Sequence, residues 1–375
     1  MKKFLCIALA LVMLFALCAC GNDAPAAPAA PAEPAAPAEP AAPAEPAAPA
    51  EPAEWDFSKD KKVNLTFATY LGETDPTTVM LVKYMDAIAE ATDGTVNYTL
   101  MAGGTLCAGN EELDALRNGL ADVVWFPTAY GSGQLPMLYT FESPGVAFVN
   151  NTAASYALEE WVDTIQPAEL ADYHVMFTCM QGDGCYLTSY PIRTYEDFAG
   201  HQIRCGDALA PVLECYGIQP TIMVFSEVYE GIRTGVVEGF YGLIPAANNV
   251  KLYEVAKYLT PDPYYYGSYL MLMNQDVWNG LSEGQQAAIE AVTAEMYESV
   301  IAPGANDVQG AIANMEANGV EVINLSDADL AKMAEASASL QSDYAASLDA
   351  KGMNGTEALQ LFKDLGDKYN AQFGG

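Results

Sequence analysis

Residues 184–208 read GCYLTSYPIRTYEDFAGHQIRCGDA, and residues 216–241 read YGIQPTIMVFSEVYEGIRTGVVEGFY. The segment GHQIRC (200–205) has the composition of a short strand, and it carries an arginine, Arg204, next to its end. In open α/β sheets, ligands bind beyond the carboxyl ends of the strands. A guanidinium placed there can grip a carboxylate with two parallel hydrogen bonds. Lys and Arg together number only sixteen in 375 residues, so an arginine within an apolar strand is informative. Two readings stand at this point: a ligand anchor, or a structural pair with a local acid such as Asp207.

Composition narrows the function classes. The length suits a two-lobed body better than one small core. A hydrophobic fraction of 51% with 10% aromatics supports a well-packed globule. The formal net charge of −33 argues against a nucleic-acid partner, which would need clustered Lys and Arg. The same charge repels anions at long range, so any anion site must rest on local donors. No G-x-S-x-G, H-E-x-x-H or P-loop pattern occurs, and only two histidines are present. The expectation is a binding protein without catalytic residues, metal or cofactor.

Residues 1–20, MKKFLCIALALVMLFALCAC, start with two lysines and continue with an apolar run of signal-peptide length. Leu17-Cys18-Ala19-Cys20 resembles a bacterial lipobox, implying a signal peptide over 1–19 and lipidation of Cys20. An ordinary signal peptide ending at a small residue is the alternative. From Pro25 to Pro52 a proline stands at every third position, and Glu33, Glu39, Glu45 and Glu51 recur every six. Three residues per turn is the period of polyproline II, so 20–54 reads as a stiff, extended spacer. The body occupies 55–375. Five cysteines remain there (Cys107, Cys179, Cys185, Cys205, Cys215), read as small buried thiols or as one or two disulfides.

Within the body, VNLTFATY (63–70) alternates as a strand, 77–91 shows helical spacing, and VNYTLM (96–101) is a second strand. Leu113, Leu116 and Leu120 share a helical face, and Val123–Phe126 reads as a buried strand. The β-α-β-α-β order predicts a parallel, doubly wound α/β sheet. Ser282 with Gln285 forms a capping signal, and Pro303-Gly304 breaks or kinks the helix that follows. VEVINL (320–325) predicts a short strand. Ser326 is expected to cap a helix to about residue 350, and Thr356 a last one to about 372. Tyr264–Tyr266 reads as cross-lobe packing.

The order of these motifs resembles the extracytoplasmic solute receptors of TRAP transporters (the tripartite ATP-independent family) over about 60–340. Thr92, Gly94, Glu112, Leu113, Leu116, Arg117, Gly119 and Asp122 keep one part of that pattern. PIRTYEDFAGHQIR and FSEVYEGIRTGVVEG keep another. The resemblance implies a two-lobed, periplasmic-binding-protein-like (type II) α/β fold with a long helix spanning both lobes. Lobe one would take about 55–175 plus 265–300, and lobe two about 176–264 plus part of the C-terminus. It implies that Arg204 salt-bridges the carboxylate of a small organic acid, which is handed to membrane permease subunits. A receptor for an ATP-driven importer and a secreted carboxylate-based hydrolase are the rival classes.

The chain departs from the family pattern at polar positions. Cys185 stands where a second arginine is usual, and Gly242 where an asparagine is. Glu238 and Phe240 stand where Asp and Gln are. The departures favour one ionic anchor and an apolar wall, suited to a monocarboxylate with an aromatic or aliphatic body. Candidate ligand-binding residues are Arg204, Tyr70, Trp125, Phe126, Cys185, Phe225 and Tyr241. Glu112 and Glu227 are read as structural, or as partners of Arg117 and Arg233.

Overall fold

The computed structural model describes residues 55–374 except 132, 143, 144 and 306. The signal-peptide, Cys20 and spacer readings fall on 1–54, outside the described residues. Within that body the strands are β1 (Val63–Ala68), β2 (Val96–Met101), β3 (Val123–Pro127), β4 (Tyr173–Gln181), β5 (Gly184–Thr188) and β6 (Gln202–Cys205). Further on come β7 (Gln219–Ile222), β8 (Gly239–Leu243), β9 (Tyr258–Asp262), β10 (Gly267–Asn274) and β11 (Glu321–Val322).

They form two sheets, one per lobe. The first has the order β2-β1-β3-β10-β4, the second β11-β9-β5-β8-β6-β7. In the first, β1 runs parallel to β2 and β3, as the βαβ pattern predicts. β10 then joins antiparallel between β3 and β4, so the sheet is mixed. β3 is buried along its whole length, because helices or loops cover both faces of a central strand. The helix Pro76–Ala91 starts where Asp75 accepts a hydrogen bond from the Thr77 amide, with Pro76 at its first position. It ends at Asp93 and Gly94, both with positive φ (50° and 69°).

Two chain segments cross between the lobes. β4 passes into β5 through Gly182-Asp183, and β9 passes into β10 through 263–266. At Gly182 an added Cβ would lie 2.2 Å from the Tyr266 ring, so only glycine lets the two crossings pack together. Tyr266 is fixed there by donating to the Phe148 carbonyl at 3.0 Å. β4 reaches residue 181, so the first sheet extends beyond 175.

The helix after Ser282 has its capping box, with the Gln285 amide donating to Ser282 Oγ at 3.2 Å and the Ser282 amide to Gln285 Oε1 at 3.0 Å. It runs Glu283–Met296, continues as a π turn through Ile301, and packs on the first lobe. A second helix, Val308–Ala317, packs on the second. The helical path thus spans both lobes but is interrupted at Pro303-Gly304. Proline has no amide to donate, and Gly304 adopts φ 73°. The helix expected over 326–350 is likewise two, Asp327–Ser337 and Leu340–Asp349. The last helix, Gly355–Phe373, begins after Asn354 at φ 52° and not on a Thr356 cap. It returns to the first lobe, where Trp161 Nε1 donates to the Ala358 carbonyl at 2.8 Å. All five cysteines are unpaired thiols.

The lobes touch on the cleft side. A Cβ at Gly206, in the second lobe, would lie 2.7 Å from the Ala129 carbonyl oxygen in the first. Backbone cannot yield as a side-chain tip can, so Gly206→Ala should disfavour the closed arrangement by about 1–3 kcal/mol. The expected result is a larger radius of gyration by small-angle scattering, with unchanged circular dichroism. Identical scattering for variant and parent would count against it.

Several acids of the first lobe are half-buried. Burial pushes Glu159 up to about 7, partly offset by hydrogen bonds from Thr178. It pushes Glu169 up to about 7 against the amides of Met137 and Leu138. A raised native pKa means that the folded chain keeps protons which the unfolded chain releases. Stability therefore falls as pH rises from the ordinary carboxyl range through about 7. The repulsion within a chain of charge −33 acts in the same direction. The melting temperature should be higher at pH 5.5 than at pH 8; a flat or rising profile across that window would refute this.

Candidate functional site

Arg204 is the penultimate residue of β6, whose neighbours are β7 and β8. It is 5% exposed. Its Nε donates to the Met223 carbonyl at 2.8 Å, and its Nη2 to Tyr130 Oη at 2.7 Å. The guanidinium carbon lies 5.5 Å from the Phe240 ring centre, 5.8 Å from Phe225 and 6.0 Å from Tyr130. Such ring faces attract a cation but do not neutralise it. Among the described residues, no carboxylate forms an ion pair with Arg204. The alternative of a structural pair with Asp207 is not what forms.

The guanidinium borders a cavity of about 60 Å³ between the lobes. The first lobe contributes Tyr70 after β1, Tyr130 after β3 and Tyr269 on β10. The second contributes Arg204, Phe225 and the β8 residues Phe240 and Tyr241. Most of these stand at the carboxyl ends of parallel strands, the place that the sheet topology favours. Tyr70 packs edge-on to Tyr130 and to Phe225, with ring centres 6.2 and 6.3 Å apart. Beyond this trio lies a second space of about 110 Å³, bordered by Gly103, Gly104 and Ser226.

The wall on the second lobe has one organising contact. A Cβ at Gly242 would lie 2.3 Å from Phe240 Cζ, so the Phe240 ring folds over the glycine. Residues two apart on a strand share a face, which permits this. In the β5–β8 register Cys185 stands opposite Gly242, and Cys185 packs in the same apolar cluster as Phe240. Three departures from the family pattern therefore form one apolar patch, with a ring occupying the room a side chain at 242 would take.

Of the residues singled out from sequence, Arg204, Tyr70, Phe225 and Tyr241 border the cavity together. Tyr241 is fixed by donating to Asp262 Oδ2 at 2.9 Å. Trp125 is buried, stacks on Tyr269 at 5.1 Å, and borders only a small adjoining space of about 20 Å³. Phe126 and Cys185 are corrections. Strand alternation turns Phe126 to the opposite face from Trp125, into the core with Leu270. Cys185 is fully buried within the second lobe, and burial pushes its thiol pKa up. Tyr130, Tyr265, Tyr269 and Gly206 join the site without having been singled out. Tyr130 follows β3 directly, and the strand-end rule applied to every parallel strand would have found it.

The expected pairs of Glu112 and Glu227 do not form, since Arg117 bonds Asp114 and Arg233 bonds Glu230. Glu112 is fully buried, and burial pushes its carboxyl well above the ordinary range. A different acid is built into the site's support. Glu142 is 1% exposed and accepts from Ser268 Oγ at 2.7 Å, from Tyr265 Oη at 3.3 Å and from Thr128 Oγ1. It ties the loop that carries Tyr130 to the crossing segment before β10.

Comparison with known proteins agrees with the two-lobed fold. The profile of bacterial extracellular solute-binding protein, family 7, matches residues 67–347. The 2,3-diketo-L-gulonate-binding periplasmic protein YiaO of Escherichia coli (strain K12) is 26% identical over 277 residues, 69% of this chain and 80% of that one. A TRAP periplasmic solute-binding protein from Bordetella bronchiseptica, solved with bound (R)- and (S)-mandelate, superimposes with a TM-score of 0.72 at 25% identity. The match covers 82% of this chain and 99% of that one. A TRAP solute-binding protein from Rhodoferax ferrireducens, with copurified benzoate, gives 0.77 at 19% identity, over 83% and 99% of the two chains. With the two crossing segments, the strand-end arginine and the matched profile in place, the chain belongs to the bacterial extracellular solute-binding proteins of family 7, the solute receptors of TRAP transporters.

Proposed function

We propose that this receptor captures a small monocarboxylate with an aromatic or compact aliphatic body and delivers it to TRAP-type permease subunits. The observation that carries the reading is a guanidinium only 5% exposed, beside a cavity, with no carboxylate of its own. A buried charge left unpaired costs several kcal/mol, on the order seen when one member of a buried pair is removed. A solute carboxylate would supply the missing anion. Lobe closure around it would exclude water and strengthen the ion pair, giving the closed form its preference.

The rest of the wall selects the body of the solute. Phe240, folded over Gly242, presents an apolar ring where a polar contact would otherwise stand. Arg204 is the one cation among the residues bordering the cavity. A second carboxylate on the solute would have to be desolvated against rings, without a partner. A volume of about 60 Å³ matches roughly four to six waters on the scale where one needs about 10–15 Å³. That suits a single ring or a short branched chain. The mandelate bound by the Bordetella bronchiseptica protein is such an acid. Attachment to the cell membrane through lipidated Cys20, with 20–54 as spacer, is part of the proposal and rests on the sequence alone.

The test is a thermal-shift panel of benzoate, mandelate, isovalerate, succinate and gluconate. Monocarboxylates should raise the melting temperature by on the order of 5 °C near saturation. Arg204→Ala should abolish those shifts while the ligand-free melting point moves little. Shifts by succinate or gluconate alone, or shifts that survive Arg204→Ala, would reject the reading.

A further inference from the structure

The hydroxyl of Tyr130 has an unusual set of neighbours. It lies 2.7 Å from Arg204 Nη2 and 3.0 Å from the Phe225 amide nitrogen. Both are donors, and neither carries a lone pair for an incoming proton. The phenol oxygen must therefore accept twice. A tyrosine hydroxyl has two acceptor positions and one proton, so both acceptor positions are taken. Among the described residues no acceptor meets that proton, and the side chain borders the cavity.

The guanidinium shows the complementary remainder. Its Nε–H is spent on the Met223 carbonyl and one Nη2–H on Tyr130. Among the described residues, both Nη1 hydrogens and the second Nη2 hydrogen have no acceptor. From this arrangement we infer that Tyr130 is a ligand-contacting, specificity-determining residue. It donates its O–H to the carboxylate that Arg204 holds, so that the anion is gripped from both lobes. The inference rests on the carboxylate reading proposed above, and deepens it.

This has a consequence for selectivity. A carboxylate offers lone pairs to every donor in the set. A primary amide of the same shape has one acceptor oxygen and an NH₂ group, and it must turn a donor toward either Arg204 or Tyr130. Sites that pair a polar group in this way discriminate strongly against analogues which leave donors facing each other. Tyr130 should therefore contribute more to acid-over-amide preference than to the capture of the body. Because Tyr130 stands in the first lobe and Arg204 in the second, the full donor set exists only when the lobes are closed.

The experiment is calorimetric titration of benzoate, benzamide, mandelate and mandelamide into the parent protein, Tyr130→Phe and Arg204→Ala. Tyr130→Phe keeps the ring and removes one oxygen, and its ligand-free melting curve controls for folding. The expected result is a loss of acid affinity of about tenfold to a hundredfold, the range for a hydrogen bond to a charged group. Amide affinity should change less than about threefold, so the acid-over-amide ratio falls. Equal weakening of acid and amide would overturn the proposal by making Tyr130 a lobe latch only. Acid binding as tight as the parent's, or tighter, would overturn it in the other direction, with the hydroxyl a stopper that competes for Arg204. Failure of the underlying reading looks different: the parent binds neither acid, or Arg204→Ala retains them. Either result removes the proposal together with its basis.

Discussion

A cation next to the end of β6, 5% exposed and without an anion of its own, is the constraint around which the cleft is arranged. In a chain of net charge −33, acids are abundant and pairing one with Arg204 would be simple. Instead its neighbours are a carbonyl, a phenol and three aromatic faces. These contacts hold the guanidinium in place while leaving its charge uncompensated. The overall negative charge does not prevent anion capture, because exposed charges are screened over about 8–10 Å and the site works at contact distance. An open cleft would let water solvate the cation; a closed one makes an incoming anion the favourable partner. The two crossing segments, with Tyr266 seated on Gly182, give the lobes the joint through which that choice becomes motion.

The aromatic side of the cleft follows from the same economy of donors. Replacing polar groups at 185 and 242 without filling the space would leave a void, and voids forfeit contact energy. Here Gly242 and Phe240 exchange volume, the ring lying where the missing side chain would be. Cys185, across the ladder from Gly242, is small enough to sit beneath it. Changing one of the three alone would create a clash or a hole, so the patch behaves as one unit. Restoring a polar contact at 242 would first require the ring at 240 to go.

Much of the body was legible in local chemistry. The β1, β2 and β3 strands, the helix opened by Pro76 and the Ser282–Gln285 capping box depend on neighbours within a few residues. The 326–350 stretch was misread because its apolar spacing continues across residues 338–339, where the chain turns; periodicity does not register a turn that leaves the pattern in phase. Phe126 shows a different limit. A strand buried on both faces has no polar alternation to say which side faces the cleft. Cys185 was singled out by alignment to a polar position, and only the β5–β8 register reveals what replaces that group. The strand-end rule could have placed Tyr130 at the cleft, but not named its partners, since Arg204 and Phe225 are 74 and 95 residues away, a relation that sequence spacing cannot express.

Glu142 shows how the lobes and the site come to share one support. Its carboxyl is buried, and hydroxyls converge on it from Thr128, two residues before Tyr130, and from Ser268 and Tyr265 on the crossing segment and β10. Burial pushes its pKa up, and the hydrogen bonds work against that shift. A carboxyl in that balance is held by geometry more than by charge: the three hydroxyls and the Ser268 amide must keep their positions for the buried acid to remain satisfied. The loop that places the Tyr130 hydroxyl on Arg204 is thus anchored to the segment that crosses between the lobes. A shift of that segment would be transmitted to the loop through these bonds, because breaking them strands a buried polar group. On the proposed reading, the loop that carries Tyr130 would therefore keep its place relative to the crossing segment as an anion is bound.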